Sequence, residues 1–188
     1  MDEILDRRAR KTRRAIQNAL VELLKNNDLN KLKIKDVTDA ADVNRTTFYL
    51  HYCDLYDVLN DLEDRLSEEV LTTEVPFDLQ TLTMDIYPLL KALCEIIESE
   101  EVYKKYLTGK SAHFLNKIKN AFKLKIIYRL KDETGEEDIT FLSYAITYAS
   151  SGAIDAFEDW FNSERPVPLE VLSKGISALI SKGLSALL

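Results

Sequence analysis

Between Ile34 and Tyr52 the chain sets two short helical stretches nearly end to end, and no other feature limits the possible folds as sharply. Ile34, Val37 and Ala41 share one face of a helix from about Ile34 to Ala41, and another helix runs from about Asn44 to Tyr52. Helices joined that tightly must cross steeply. Upstream, within a stretch from Asp6 to Lys25, Ile16, Ala19, Leu20, Leu23 and Leu24 recur at helical spacing; downstream, Leu55, Val58, Leu59, Leu62 and Leu66 do the same. Only 5 Gly and 4 Pro in 188 residues leave few places to interrupt such elements.

The rest of the chain extends the helical pattern. Residues 72–85, with Thr72, Thr73 and Pro76, form a linker with at most one helical turn. Pro88 suits the first turn of a helix from about Ile86 to Glu98, because its missing N–H would have no partner there. Further helices are expected from Ser99 to Gly109, Ser111 to about Lys131, about Glu136 to Phe161, and about Leu169 to Leu187. No stretch alternates as a β-strand should. The expected architecture is all-α: an N-terminal three-helix helix-turn-helix domain over residues 1–54 and a second helical domain over residues 55–188.

Charge separates these two parts. The chain carries 25 Lys and Arg against 32 Asp and Glu, so as a whole it repels nucleic acid and anionic membranes. Residues 1–52, however, hold 11 basic and 8 acidic side chains, and the remainder 14 and 24. Cys53 and Cys94 are far apart, with no CxxC and no neighbouring His cluster, so neither a metal site nor a disulfide framework is expected, and no cofactor. A cytoplasmic protein fits this usage, and no run of 18 apolar residues suggests a membrane span. Catalytic motifs are missing too: there is no GxSxG, HExxH or glycine-rich phosphate loop, and the chain reads as a non-enzyme.

The basic groups gather where an anion would be useful. Arg7 to Arg14 has six basic residues in eight, in the first turns of a helix. A helix N-terminus carries partial positive charge, so arginines there cost stability unless an anion compensates. Asn44, Arg45, Thr46, Thr47, Tyr49 and His51 then fall in one short element that fits a major groove. Arg bridges guanine O6 and N7, Thr meets base edges with its hydroxyl or methyl, and Tyr and His suit phosphate oxygens. Tyr52, at the end of the same element, joins this set.

The stretch Val43 to Leu59, V-N-R-T-T-F-Y-L-H-Y-C-D-L-Y-D-V-L, resembles the signature of the TetR/AcrR family, and the likeness extends over about residues 8 to 66. The resemblance implies a homodimeric transcription factor with an inducer pocket in its second domain and a dimer interface of two helices from each subunit. Carried over by position, Asn44, Arg45, Thr46 and Thr47 would meet bases, and Arg8, Lys11, Arg13, Lys33, Lys35, Tyr49 and His51 phosphates. Three positions depart from the pattern: Asp42 replaces the usual turn glycine, Lys33 a threonine cap, and Leu55 a lysine.

Two further sets follow for the second domain. Tyr87, Cys94, Phe114, Phe122, Tyr144 and Tyr148 are the expected ligand-binding residues, since clefts between bundle helices are commonly lined by aromatics with a few polar tips. The stretch from Glu136 to Phe161 is apolar or small on too many sides for its own domain to cover. Ala153, Phe157 and Trp160 are therefore expected at a dimer interface, with Leu172, Ile176, Leu179, Ile180 and Leu184 of the final helix. The functional expectation is a repressor on a roughly palindromic duplex, released by a small-molecule effector. The rival reading is a co-regulator whose second domain binds another protein.

Overall fold

The structure is a computed structural model and describes residues 2–78, 83–107, 113–134 and 140–185. Helix α1 (Asp2–Leu24) buries Ile16, Ala19, Leu20 and Leu24, the stripe set by their spacing, and Val21 beside them. A single 3-10 turn at Leu29–Lys31 carries Leu29 into the same core. Helix α2 (Ile34–Ala40) packs on α1 through Val37 and Thr38. Without a threonine cap, the start of α2 is held by two local bonds. The Lys33 N–H donates to the Asp36 carboxylate at 2.8 Å, and the Asp36 N–H donates to the Lys33 carbonyl at 2.9 Å.

The α2 turn explains Asp42. Val43 N–H reaches back to the Thr38 carbonyl at 3.0 Å and Asp42 N–H to that of Asp39 at 3.4 Å, the paired bonds of a Schellman ending. Such an ending needs one left-handed residue, and Asp42 takes it at φ 53°. Helix α3 (Arg45–Tyr49) starts at once, capped by Asn44, whose side-chain oxygen accepts from Thr47 N–H at 2.6 Å. It is shorter than its sequence suggests because Leu50 to Tyr52 continue as turns, His51 and Tyr52 N–H both bonding to the Phe48 carbonyl. Helix α4 (Leu55–Leu71) opens on Asp54, which accepts from Asp57 N–H at 2.8 Å while Asp57 accepts from Cys53 N–H at 3.0 Å.

The chain divides into two compact units, Met1–Arg65 and Leu66–Leu188. The division falls within α4, the helix along which the sequence places the boundary. Asp61 bonds to α1 residues, which ties the first turns of α4 into the N-terminal unit.

In the second unit, helices α5 (Tyr87–Ser99), α6 (Glu101–Leu107), α7 (Phe114–Thr134), α8 (Thr140–Asn162) and α9 (Leu169–Ser185) surround an apolar core. Leu90, Leu93, Ile97, Phe114, Ile118, Ile154 and Phe157 are almost fully enclosed in it. Helix α7 pairs with α8, and α5 with both α6 and α9. Asp85 accepts from Tyr87 N–H at 3.0 Å at the start of α5, with Pro88 in its first turn.

Phe77–Asp78 and Thr83–Met84 correct the linker expectation. Strands β1 (Phe77–Asp78) and β2 (Thr83–Met84) pair antiparallel, Phe77 opposite Met84. Two residues per strand are too few to alternate visibly; Met84 is buried and β2 packs on α9.

Most of the expected dimer residues take part in the chain's own packing. Ala153, Phe157, Ile176 and Ile180 are buried within this chain, and Trp160 and Leu172 are half-buried. Trp160 donates its ring N–H to the Val167 carbonyl at 2.8 Å. Of that set only Leu179 is largely exposed, at 75%, while the side chain of Leu184 lies outside the described residues. Helices α7 and α9 of the same unit cover one side of α8, while Phe141, Tyr144 and Tyr148 on its other side stay exposed.

Candidate functional site

The exposed face of α3 is built on a buried anchor. Phe48 is fully enclosed and Val37 of α2 equally so, which fixes α3 against its unit and turns the intervening positions outward. Arg45, Thr46 and Tyr49 are exposed and Thr47 half-exposed. Arg45 lies along α3 with its guanidinium 6.0 Å from the Tyr49 ring centroid and 3.4 Å from the Tyr49 hydroxyl. That contact lays the guanidinium along the exposed side of α3. Asn44 spends its oxygen on the cap, which leaves its amide N–H2 as the donor for a ligand.

The flanking cations are solvated. Arg8, Lys11, Lys33 and Lys35 are exposed, and His51 is half-exposed. Two members of the expected set are placed differently. Tyr52 is 3% exposed, and its hydroxyl donates to Asp61 Oδ2 at 2.5 Å, so it belongs to the core of the unit and not to a phosphate contact. Burial, followed by that bond to a carboxylate, pushes its phenol well above the ordinary tyrosine value. Arg13 is exposed on one side but its guanidinium is engaged by both Asp61 oxygens, Nε to Oδ2 at 3.1 Å. The hydrogen bond to Asp61 raises the Arg13 pKa further. Both corrections have one cause: the partner, Asp61, comes from another helix.

Leu50 is a residue the sequence reading passed over. At 76% exposure directly after α3 it offers an apolar side chain beside the polar ones, suited to a thymine methyl. Its signal was its place between Tyr49 and His51 without a partner at helical spacing in α3.

The six expected ligand residues are not brought together. Tyr144 and Tyr148 are exposed, at 69% and 84%. Tyr87 stands at the surface, donating its hydroxyl to Glu170 Oε1 at 3.1 Å. Phe114 is fully packed, and Cys94 is buried on α5, its thiol pushed up to about 11 by desolvation. Phe122 alone of the six lines an apolar cavity between α7, α8 and α9, with Ile126, Leu130, Ile146 and Ile180, and that cavity measures only about 30 Å³. A wider, open groove of about 810 Å³ lies between the β-ribbon and α7, with Glu74, Asp78 and Asp85 facing Lys125 and Arg129. Among the described residues no group of three or more potential ligands could hold a metal ion, and no helix is long and apolar enough to cross a membrane.

The fold, a small helical unit carrying an exposed α3 followed by a larger, mainly helical unit, is shared with two solved regulators. A TetR transcriptional regulator from Streptococcus agalactiae superposes with a TM-score of 0.62 over 96% of this chain and 99% of its own, at 24% identity. The dihydroxyacetone kinase operon activator DhaS gives a TM-score of 0.61 at 15% identity, covering 93% of this chain and 97% of its own. No family model matches the sequence, and no curated protein matches it.

Proposed function

We propose that the protein is a sequence-specific DNA-binding transcriptional regulator, acting as a homodimeric repressor that a small molecule releases. The observation that carries this reading is α3. Its buried side is fixed by Phe48, its start by the Asn44 cap and the Asp42 turn, and its outer side presents Arg45, Thr46, Thr47 and Tyr49 together. Of the two neighbours of like fold, one is named a transcriptional regulator and the other an operon activator, which supports regulation as the common theme. A five-residue helix contacts few base pairs, so useful discrimination needs two copies on a roughly palindromic duplex.

For the dimer, the faces left open by the chain's own packing replace the buried residues expected from sequence. Tyr144, Tyr148 and Gly152 share the exposed side of α8, and Val171, Gly175 and Leu179 that of α9. A side chain added at Gly152, Gly175 or Gly183 would meet nothing within 4 Å, so a second helix has room to approach closely. An effector would have to widen the cavity beside Phe122, since ligand pockets commonly reach about 300–1,000 Å³. The same narrowness favours the second reading, a co-regulator whose second unit binds a protein partner.

Selection of bound duplexes from a random pool tests the proposal. The expected motif has two related half-sites about 34–36 Å apart, or a multiple of that spacing. Recovery of no motif, with binding equal on all sequences and lost at moderate salt, would favour the co-regulator.

A further inference from the structure

Asp61 has no place in the reading surface, yet its carboxylate joins three segments of the N-terminal unit. Oδ2 accepts from the Tyr52 hydroxyl at 2.5 Å, Gln17 Nε2 at 2.8 Å and Arg13 Nε at 3.1 Å, and Oδ1 takes a second bond from Arg13. Gln17, itself 2% exposed, passes the connection on by accepting from Arg65 Nε at 3.0 Å. One carboxylate on α4 thus gathers two side chains of α1 and the tyrosine that follows α3.

The link to α3 is short and stiff. Tyr52 N–H bonds to the Phe48 carbonyl at 3.0 Å, and the two rings lie 5.7 Å apart. Phe48 in turn meets Tyr49 edge to face at 5.6 Å, and Tyr49 supports Arg45. The start of α3 has the Asn44 side-chain cap; its end is closed by backbone bonds, Leu50 N–H to the Thr46 carbonyl at 3.1 Å, and is tied to the rest of the unit through the Tyr52 hydroxyl. Charge-assisted hydrogen bonds out of water are both strong and directional, so this contact fixes orientation as well as adding stability.

We propose that Asp61 is the positioning residue for DNA reading: through Tyr52 and Phe48 it sets the angle at which α3 presents Arg45, and by holding Arg13 it keeps that cation in the scaffold instead of on phosphate. This rests on the DNA-binding reading and adds to it a residue that touches no DNA. An asparagine at this position has one acceptor oxygen for four donated bonds and turns an N–H2 toward other donors. The cluster must open, with Arg13 released.

The test compares wild type, Asp61→Asn and Tyr52→Phe on the duplex selected by the wild type and on a scrambled duplex of equal length, with thermal melting as the control for folding. Asp61→Asn should lower the ratio of the two affinities at least tenfold. Binding to the scrambled duplex should hold or tighten, its salt slope steepening by about 0.9 as Arg13 becomes free for a phosphate. Tyr52→Phe, which deletes one hydroxyl, should lower the ratio about threefold, and it decides the matter if Asp61→Asn does not fold. A structural role alone would reduce both affinities together. That result, or a ratio unchanged within twofold, overturns the proposal. Amide NMR shifts of Arg45–Leu50 without DNA separate the two ideas. If they move in the variants while the wild type selects no motif, the regulator reading fails and the coupling stands; if they stay fixed, the coupling fails whatever the DNA result.

Discussion

The two units are held together by different physics. The N-terminal unit is small and uses directional contacts at every joint: the Asp36 bond to Lys33, the Schellman turn at Asp42, the Asn44 cap, and the Asp61 cluster. The second unit relies on apolar burial between long helices, with surface ion pairs such as Lys119 to Asp155 at 2.9 Å and Arg165 to Glu98 at 2.5 Å. The contrast teaches where precision is needed. A bidentate base contact fails if a side chain is displaced by an ångström, and only directional bonds hold position that finely. Hydrophobic contact has no preferred direction, so the second core is held by burial and shape rather than by orientation.

The largest expected effect is on the apolar side. Phe157 is fully enclosed, and Phe157→Ala should cost roughly 3–5 kcal/mol in urea unfolding. A loss under 1 kcal/mol would mean that the second core is looser than its packing indicates. Next, Arg45→Ala should remove about 1–3 kcal/mol of discrimination between selected and scrambled duplex while leaving the melting temperature in place. Equal losses on both duplexes would move Arg45 from base to phosphate.

A paired substitution sharpens the comparison within α9. Ile176→Glu, in the chain's own core, should unfold the second unit, whereas Leu179→Glu, on the exposed face, should keep the fold and shift sedimentation toward monomer. If Leu179→Glu leaves the sedimentation unchanged, the proposed dimer face is wrong. Smaller still, Asn44→Ala should lower stability by about 1 kcal/mol through loss of the α3 cap. The least effect belongs to Asp42→Gly. Glycine takes positive φ without strain but gains freedom when unfolded, so the net gain in thermal unfolding should stay under about 1 kcal/mol.

The sequence alone determined what depends on neighbours a few residues away. The helices at 34 and 45, the stripe from Ile16 to Leu24, the left-handed tolerance of Asp42 and the Pro88 start were all legible, because helix formation and turn chemistry act within about one turn of chain. The all-α class followed, missing only the two-residue strands. Tertiary structure decided which polar groups face inward. Tyr52 and Arg13 have the same chemistry whether they meet a phosphate or a carboxylate, and the carboxylate partner in the fold, Asp61, is 9 residues from one and 48 from the other. It also decided which apolar residues of α8 and α9 serve this chain's core and which remain outside, as Ile176 and Leu179 show. Periodicity gives each helix its faces, but the element that covers a face comes from far along the chain, and only the folded packing assigns it.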